Sequence, residues 1–354
     1  MNAQFTQHNL IFKQASGTSR GVLTTKETYL LEISKNGQKG IGECAIFRGL
    51  SYDDVPDYEE KLTWLCKNIN LDFEVLKKEL LHYPSIIFGL EQALLNLEHG
   101  EDLYFPSDFT DGKDSIKING LIWMGNADFM QSQIEEKLAK GFDCIKLKIG
   151  VDWKSEKEII KKLREKFPKE QLELRVDANG AFSYEEARMV LQELADLGIH
   201  SIEQPIKKSE VRSPKSEENS EINSTDYCVP WNEMAKLCAE TPTPIALDEE
   251  LIGIIDFEEK KKLLETIKPQ YIILKPALVG GFSGSDEWIA IAESLGINWW
   301  ITSALESNIG LNAICQYTYT KKNPLPQGLG TGALFTNNFE THLQLEGDQM
   351  WHKK

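Results

Sequence analysis

Charged side chains interrupt a series of apolar runs at regular intervals. Lys146 and Lys148 stand in CIKLKIG, Asp177 in LRVDANG, Glu203 in SIEQP, Asp248 in IALDEE and Lys275 in IILKPA. Each lies at or near the C-terminal end of its run. Lys148 and Asp177 are 29 positions apart, Asp177 and Glu203 26, Asp248 and Lys275 27, and Lys275 and Ser303 28. Each interval is one strand plus one helix. The interval from Glu203 to Asp248 is 45, and it falls to 22 once the 23 polar residues 207–229 are set aside. One functional residue therefore recurs per strand end.

Three carboxylates on three successive strands suit a hard divalent cation with oxygen ligands, Mg²⁺ above all and Mn²⁺ as a substitute. Their mutual repulsion disfavours close approach, and a cation relieves it. A lone strand-end acid is ordinarily salt-bridged or solvated; three at unit spacing, flanked by lysines, point to a metal centre. Lys146 and Lys148 are two apart on a strand and face the same side. Two ammonium groups there depress each other's proton affinity, so one can be neutral near pH 7 and act as a base. Lys275 can serve as a second acid/base or as a fixed positive charge.

These residues need strands that all end on one face. From about residue 115, β-prone runs at 115–122, 143–150, 172–179, 201–205, 244–250, 271–277, 297–304 and 325–331 alternate with helical stretches at 132–140, 154–166, 184–197, 256–267 and 285–295. Such alternation predicts a parallel sheet, and eight units close naturally into a barrel whose active site is at the strand C-termini. An open doubly wound sheet is the alternative, but no GxGxxG follows the first strand. The preceding 110 residues read as strands followed by helices: a β-prone Tyr29–Ser34, then helices over 52–69, 73–81 and 86–99. That is an α+β cap. The segment 207–229 is Ser/Glu-rich without apolar periodicity and reads as a mobile surface insertion.

The 354 residues fit one large domain with a smaller companion, and 41% hydrophobic content supports a sizeable core. The net charge of -16, from 39 basic and 55 acidic residues, repels phosphate backbones and argues against nucleic acid. The six cysteines are scattered without a CxxC pair and read as reduced thiols. No apolar run approaches the roughly 18 residues a bilayer span needs. Met1-Asn-Ala-Gln-Phe opens without a basic stretch before an apolar one, so a cytoplasmic protein is expected.

KLK at 146–148, VDANG at 176–180, IEQP at 202–205, ALDE at 246–249 and LKP at 274–276 together resemble the enolase superfamily, in its muconate lactonizing enzyme-like subgroup. GECAIFRGLS (42–51), FGLEQAL (88–94), INGLIWMG (118–125), ITSALESNIG (301–310) and GLGTGALF (328–335) extend the likeness over nearly the whole chain. Within the subgroup the chain is most similar to the o-succinylbenzoate synthase family. The resemblance implies an α/β fold: a (β/α)₇β TIM-like barrel over 111–331, with an α+β capping domain of residues 1–110 completed by the tail 332–354. It implies Mg²⁺ on Asp177, Glu203 and Asp248, with Lys148 as the base that takes the proton α to a substrate carboxylate. Lys146 would help hold the enediolate, and Lys275 would be a cation beside the ring. The expected reaction is a dehydration of 2-succinyl-6-hydroxy-2,4-cyclohexadiene-1-carboxylate in menaquinone biosynthesis. Arg175 and Asn179 are candidate supports beside Asp177; Gly49, Leu50 and Ser51 would form a loop over the substrate; Ser303 and Glu306 would line the pocket. The partner is a small carboxylate, and a homo-oligomer is compatible with the sequence.

Two other functions compete. An N-acylamino acid racemase or dipeptide epimerase of the same superfamily also needs two opposed lysines. Dipeptide epimerases resemble one another in an Asp-x-Asp at the eighth strand end, where this chain has GLGTG. A non-catalytic metal-binding scaffold would not require every catalytic position to be occupied.

Overall fold

The computed structural model describes residues 1–18, 21–123, 127–208 and 229–353. Most of the 207–229 segment, read above as an insertion, lies outside the described residues.

The chain opens with a long antiparallel pair, β1 (Asn2–Thr18) and β2 (Gly21–Lys35), and β3 (Gln38–Cys44) adds to β2. Three helices follow: α1 (Tyr58–Asn68), α2 (Phe73–Glu79) and α3 (Pro84–His99). Helix α3 has apolar residues all round and is almost wholly buried. It lies directly on β3, because Gly42 and Gly89 face each other there. A Cβ on Gly42 would come within 1.9 Å of the Gly89 carbonyl. Tyr29, Leu31, Ile33, Leu62, Leu65 and Leu90 form a core of their own between sheet and helices. The helix expected from residue 52 starts only at Tyr58. Pro56 excludes the helical conformation from the residue before it, and turns occupy the interval.

Seven parallel strands make the main sheet: β5 (Gly120–Ile122), β6 (Cys144–Lys148), β7 (Glu173–Asp177), β8 (Ser201–Glu203), β9 (Ile245–Leu247), β10 (Tyr271–Leu274) and β11 (Asn298–Ile301). They hydrogen-bond in sequence order. The short stretch at Gln327 and Gly328 bonds to both outer edges, in parallel bridges to Ile118 and to Thr302. Helices α4 (Ala127–Ala139), α5 (Trp153–Lys166), α6 (Tyr184–Asp196), α7 (Val229–Glu240), α8 (Phe257–Ile267), α9 (Pro276–Val279), α10 (Gly281–Ser294) and α11 (Asn308–Thr320) connect the strands. Their starts follow local capping chemistry. Ser183 and Glu186 bond reciprocally at the head of α6, and Asp256 accepts the first free N–H groups of α8. Helix α10 begins four residues before the expected 285, because Glu91 of α3 accepts the Phe282 and Ser283 N–H groups at 2.5 and 3.1 Å. That cap comes from another helix and is invisible to local periodicity.

The run expected as one strand at 115–122 divides into β4 (Ile116–Lys117) and β5. β4 joins a terminal antiparallel hairpin, β12 (Leu343–Glu346) and β13 (Gln349–His352). Just before that hairpin, the Leu334 carbonyl and Thr336 N–H bond to Lys13 and Ile11 of β1. Among the described residues, no helix is long and apolar enough to cross a membrane.

Candidate active site

Parallel strands bring the singled-out residues to one end of the sheet. Lys148, Asp177 and Glu203 are the last residues of β6, β7 and β8, and they are register neighbours. Asp248 and Lys275 follow β9 and β10 directly. The six ionisable side chains interlock. The Lys146 ammonium donates to Glu203 Oε2 at 2.7 Å and stands 3.6 Å from Asp177. Lys148 donates to Asp177 Oδ2 at 3.0 Å and to Asn179 Oδ1 at 2.5 Å. Lys275 pairs with Asp248 and lies 3.8 Å from Glu203 Oε1. The carboxylates are 2% exposed and the lysines 9–13%.

Burial and close charges set the proton affinities. Burial alone would raise Asp177, but Lys148, Lys146 and Lys275 outweigh it and hold the carboxyl at about 2. Burial pushes Glu203 up to about 7, and Asp177 adds to that against the pull of Lys146. Burial also raises Asp248, though Lys275 opposes it. Burial would lower Lys275, but Asp248 and Glu203 reverse the sign and raise it. The same contest raises Lys146, through Glu203 and Asp177. The mutual depression expected of Lys146 and Lys148 is therefore reversed for Lys146, whose nearest charges are carboxylates.

Lys146, Lys148, Asp177 and Lys275 open onto one cavity of roughly 110 Å³. Phe47, Leu50, Leu121 and Trp123 give it an apolar wall, and Thr302, Ser303, Gly328 and Thr331 close the far side. Asn179 lines it as well, its side chain spanning Lys148 and Glu249, which it reaches at 3.0 Å. Asn179 holds a left-handed φ of 45°, a conformation asparagine tolerates.

Several candidates sit elsewhere. Arg175 points away from the cavity, towards the interior of the sheet below. Its guanidinium bonds Glu173 at 2.7 Å and the Pro326 carbonyl at 2.9 Å, and stacks 4.2 Å over Trp300. The two-residue period puts Arg175 and Asp177 on one face, but 6–7 Å apart along the strand, and only Asp177 reaches the cavity. Gly49 and Ser51 shape the turn that presents Leu50. Gly49 has a φ of 78° and donates to Asp54, and the Ser51 hydroxyl accepts from the Phe47 N–H. Glu306 turns back to accept the Ala304 N–H at 2.6 Å, and burial pushes its carboxyl up to about 7. Ser303 is on the cavity wall and shares a 2.7 Å hydrogen bond with Thr331.

Sequence reasoning missed Glu249, Asn119, Trp123, Thr302 and Thr331. Glu249 carried a signal, as the second acid of LDEE. The others are ordinary residues at strand ends, and only the closed arrangement marks them.

The donor set fits a hard cation. Glu203 Oε1 and Glu249 Oε2 are buried with no hydrogen-bond partner, and buried carboxylate oxygens are rarely left so. The three strand-end acids offer only oxygen.

Residues 130–216 and 228–349 match the family described as Enolase C-terminal domain-like. The chain belongs to the enolase superfamily, in its muconate lactonizing enzyme-like subgroup. Within it, the chain is 42% identical to an o-succinylbenzoate synthase from Desulfotalea psychrophila, covering 98% of both chains. It is 33% identical to an N-succinylamino acid racemase from Thermus thermophilus, over 83% of this chain and 75% of the relative. The crystal structure of MenC from Desulfotalea psychrophila superposes with a TM-score of 0.84 at 39% identity, covering 99% of both chains.

Proposed function

We infer that this chain catalyses the o-succinylbenzoate synthase reaction of menaquinone biosynthesis: dehydration of 2-succinyl-6-hydroxy-2,4-cyclohexadiene-1-carboxylate to the aromatic product. The observation that carries the chemistry is that Lys148 and Lys275, from strands on different parts of the sheet, face one cavity with an apolar wall beside buried carboxylates. The 42% identity over nearly the full length of a synthase selects the reaction.

Asp177, Glu203 and Asp248 would hold Mg²⁺, which offsets the negative charge that develops on the substrate carboxylate. Lys148, as the free amine, takes the proton α to that carboxylate. The electron pair forms the enolate, which collapses to expel the ring hydroxyl. The Lys148 ammonium returns its proton to that oxygen, and water leaves. One C–H and one C–O bond break, and the ring becomes aromatic. Lys275, whose proton is held tightly by Asp248 and Glu203, stays a cation and steadies the enolate. Lys146 keeps Glu203 in place. Asn179 positions Lys148. Phe47, Leu50, Leu121 and Trp123 exclude water from the ring.

The bridges at Gln327 and Gly328 support reading the seven strands as a closed (β/α)₇β barrel. The separate core of β1–β3 with α1–α3 supports residues 1–110 as the cap, with the tail from 332 running against β1.

Purified protein with Mg²⁺ and the cyclohexadiene substrate tests this reading. Aromatisation changes the ultraviolet absorbance. A racemase reading has two lysines on one cavity and the 33% identical relative in its favour. It predicts exchange of the α-proton of an N-succinylamino acid with solvent deuterium, and no dehydration.

A further inference from the structure

Away from the active site, three metal-ligating side chains meet outside the sheet. Asp102 lies in the loop after α3, His342 immediately precedes β12, and His352 ends β13. His342 Nδ1 is 2.6 Å and His352 Nε2 3.0 Å from Asp102 Oδ2. Among the described residues, this is the group of three such side chains whose ligand atoms all lie within 4.8 Å of one another. We propose that Asp102, His342 and His352 form a second metal site that takes Zn²⁺ and staples the post-α3 loop to the C-terminal hairpin.

Three observations support a built site rather than a chance encounter. The backbone under each ligand is fixed. The Asp102 carbonyl accepts from Asn312 at 2.9 Å and from Gln316 at 2.8 Å, both on α11. The hairpin register pairs Leu343 with His352, and the Lys353 N–H bonds the His342 carbonyl, so the two imidazoles emerge side by side with rings 5.4 Å apart. Capacity is left over: Asp102 Oδ1 and His352 Nδ1 are buried without partners. In the metal-free site Asp102 Oδ2 accepts the His352 Nε2 proton; Zn²⁺ would displace that proton, and the unpartnered Nδ1 is free to carry the ring's remaining one. There is also a way in. His352 is fully buried, but the His342 side chain is 44% exposed and Asp102 28%.

The donor chemistry selects the ion. Two imidazole nitrogens and one carboxylate oxygen suit Zn²⁺, with water as fourth ligand, whereas Mg²⁺ prefers oxygen throughout. Tetrahedral zinc at bond lengths of about 2.0–2.1 Å needs ligand atoms roughly 3.3 Å apart. Against Asp102 Oδ2, the half-exposed His342 nitrogen at 2.6 Å has to back away by about 0.7 Å and the His352 nitrogen at 3.0 Å by about 0.3 Å. The site needs no part of the catalytic cavity.

The test uses the full chain saturated with Mg²⁺, titrated with Zn²⁺ by calorimetry and followed by thermal unfolding. The expected result is one Zn²⁺ equivalent and a raised unfolding midpoint. His342→Gln should weaken that binding at least tenfold and abolish the midpoint shift. Asp248→Asn, in the strand-end carboxylate cluster, should retain both. Because His342 is half-exposed, the variant is expected to fold, which circular dichroism checks; Asp102→Asn gives a second reading. The proposal is overturned if the wild-type chain binds no Zn²⁺, if His342→Gln and Asp102→Asn bind it as tightly as wild type, or if Asp248→Asn alone removes it.

Discussion

Replacing Lys148 with alanine separates proton transfer from metal binding. Lys148 is the only one of the three lysines that contacts Asn179 as well as Asp177, and it is 12% exposed at the cavity edge. A positioned general base contributes about 10²–10⁴ in rate. In the proposed mechanism the same amine also returns the proton to the departing oxygen, which sets the expectation at the upper end. A 10⁴-fold loss in kcat corresponds to about 5.5 kcal/mol of transition-state stabilisation. Metal affinity moves differently. Lys148 heads the charges that hold Asp177 at about 2, so removing it takes a competing cation from a carboxylate that would ligate Mg²⁺. Lys146 remains 3.6 Å away and keeps Asp177 from being wholly unpaired. Lys148→Ala should therefore bind Mg²⁺ at least as tightly as the parent while its aromatisation rate falls by about 10³–10⁴. Stopped-flow or steady-state absorbance gives the rate, and calorimetric titration gives the metal affinity. A rate within tenfold of the parent would remove Lys148 as the base; lost Mg²⁺ binding would make its role structural.

Other expectations follow from the buried polar groups. Arg175→Ala leaves Glu173 and the Pro326 carbonyl without their guanidinium and opens space under Trp300, so stability should fall by about 3–5 kcal/mol. Denaturant unfolding measures that loss, while kcat per folded molecule should change little; a large kcat loss at unchanged stability would put Arg175 in the chemistry. Glu306 has its folded pKa raised to about 7 by burial. An acid raised on folding favours the native state at low pH, and that contribution disappears as pH climbs from about 4.5 through 7. Glu306→Gln should thus raise the unfolding midpoint at pH 8 and do little at pH 5; equal effects at both would refute the assignment. Gly42→Ala forces a Cβ to within 1.9 Å of the Gly89 carbonyl and should destabilise by about 1–3 kcal/mol or more, read from urea unfolding.

The cavity lysines and carboxylates were legible because the cost of burying charge makes them conspicuous. A charged residue at the end of an apolar strand stands out, and the strand–helix repeat then assigns all such residues to one end. Arg175 shows the limit of that signal. It interrupts LELRVDAN as conspicuously as Asp177 does, yet it packs the interior beneath the site. One strand's sequence cannot tell the level of the mouth from the level below it. The N-terminal sheet was poorly legible for a different reason. β1 alternates buried and exposed residues over only part of its length and slips register between Ile11 and Ser16, so a period of two is diluted. Helix α11 was missed because its buried residues surround it, from Gly310 to Thr318, and leave no polar face to set a period.

The alternation of charge explains how such a site survives burial. Three ammonium groups face three strand-end carboxylates, and each lysine lies within 4 Å of at least one of them. Isolated, any one of these ions would be costly to bury; removing one partner of such a network leaves an uncompensated charge. Filling the site need not disturb the balance. A divalent cation brings two positive charges, and a substrate with a ring carboxylate and a succinyl carboxylate brings two negative ones. Asp177, Glu203 and Asp248 would then turn their oxygens from the lysines to the cation, and the substrate's two carboxylates would offer the lysines new anions. Lys148 is best placed to be released, because it sits at the cavity edge and its second contact, Asn179, is neutral. Lys275, between Asp248 and Glu203, keeps an anion whichever carboxylate the cation draws most strongly. The same geometry that neutralises the site thus distinguishes Lys148, held by one carboxylate and one neutral amide, from Lys275, held between two carboxylates.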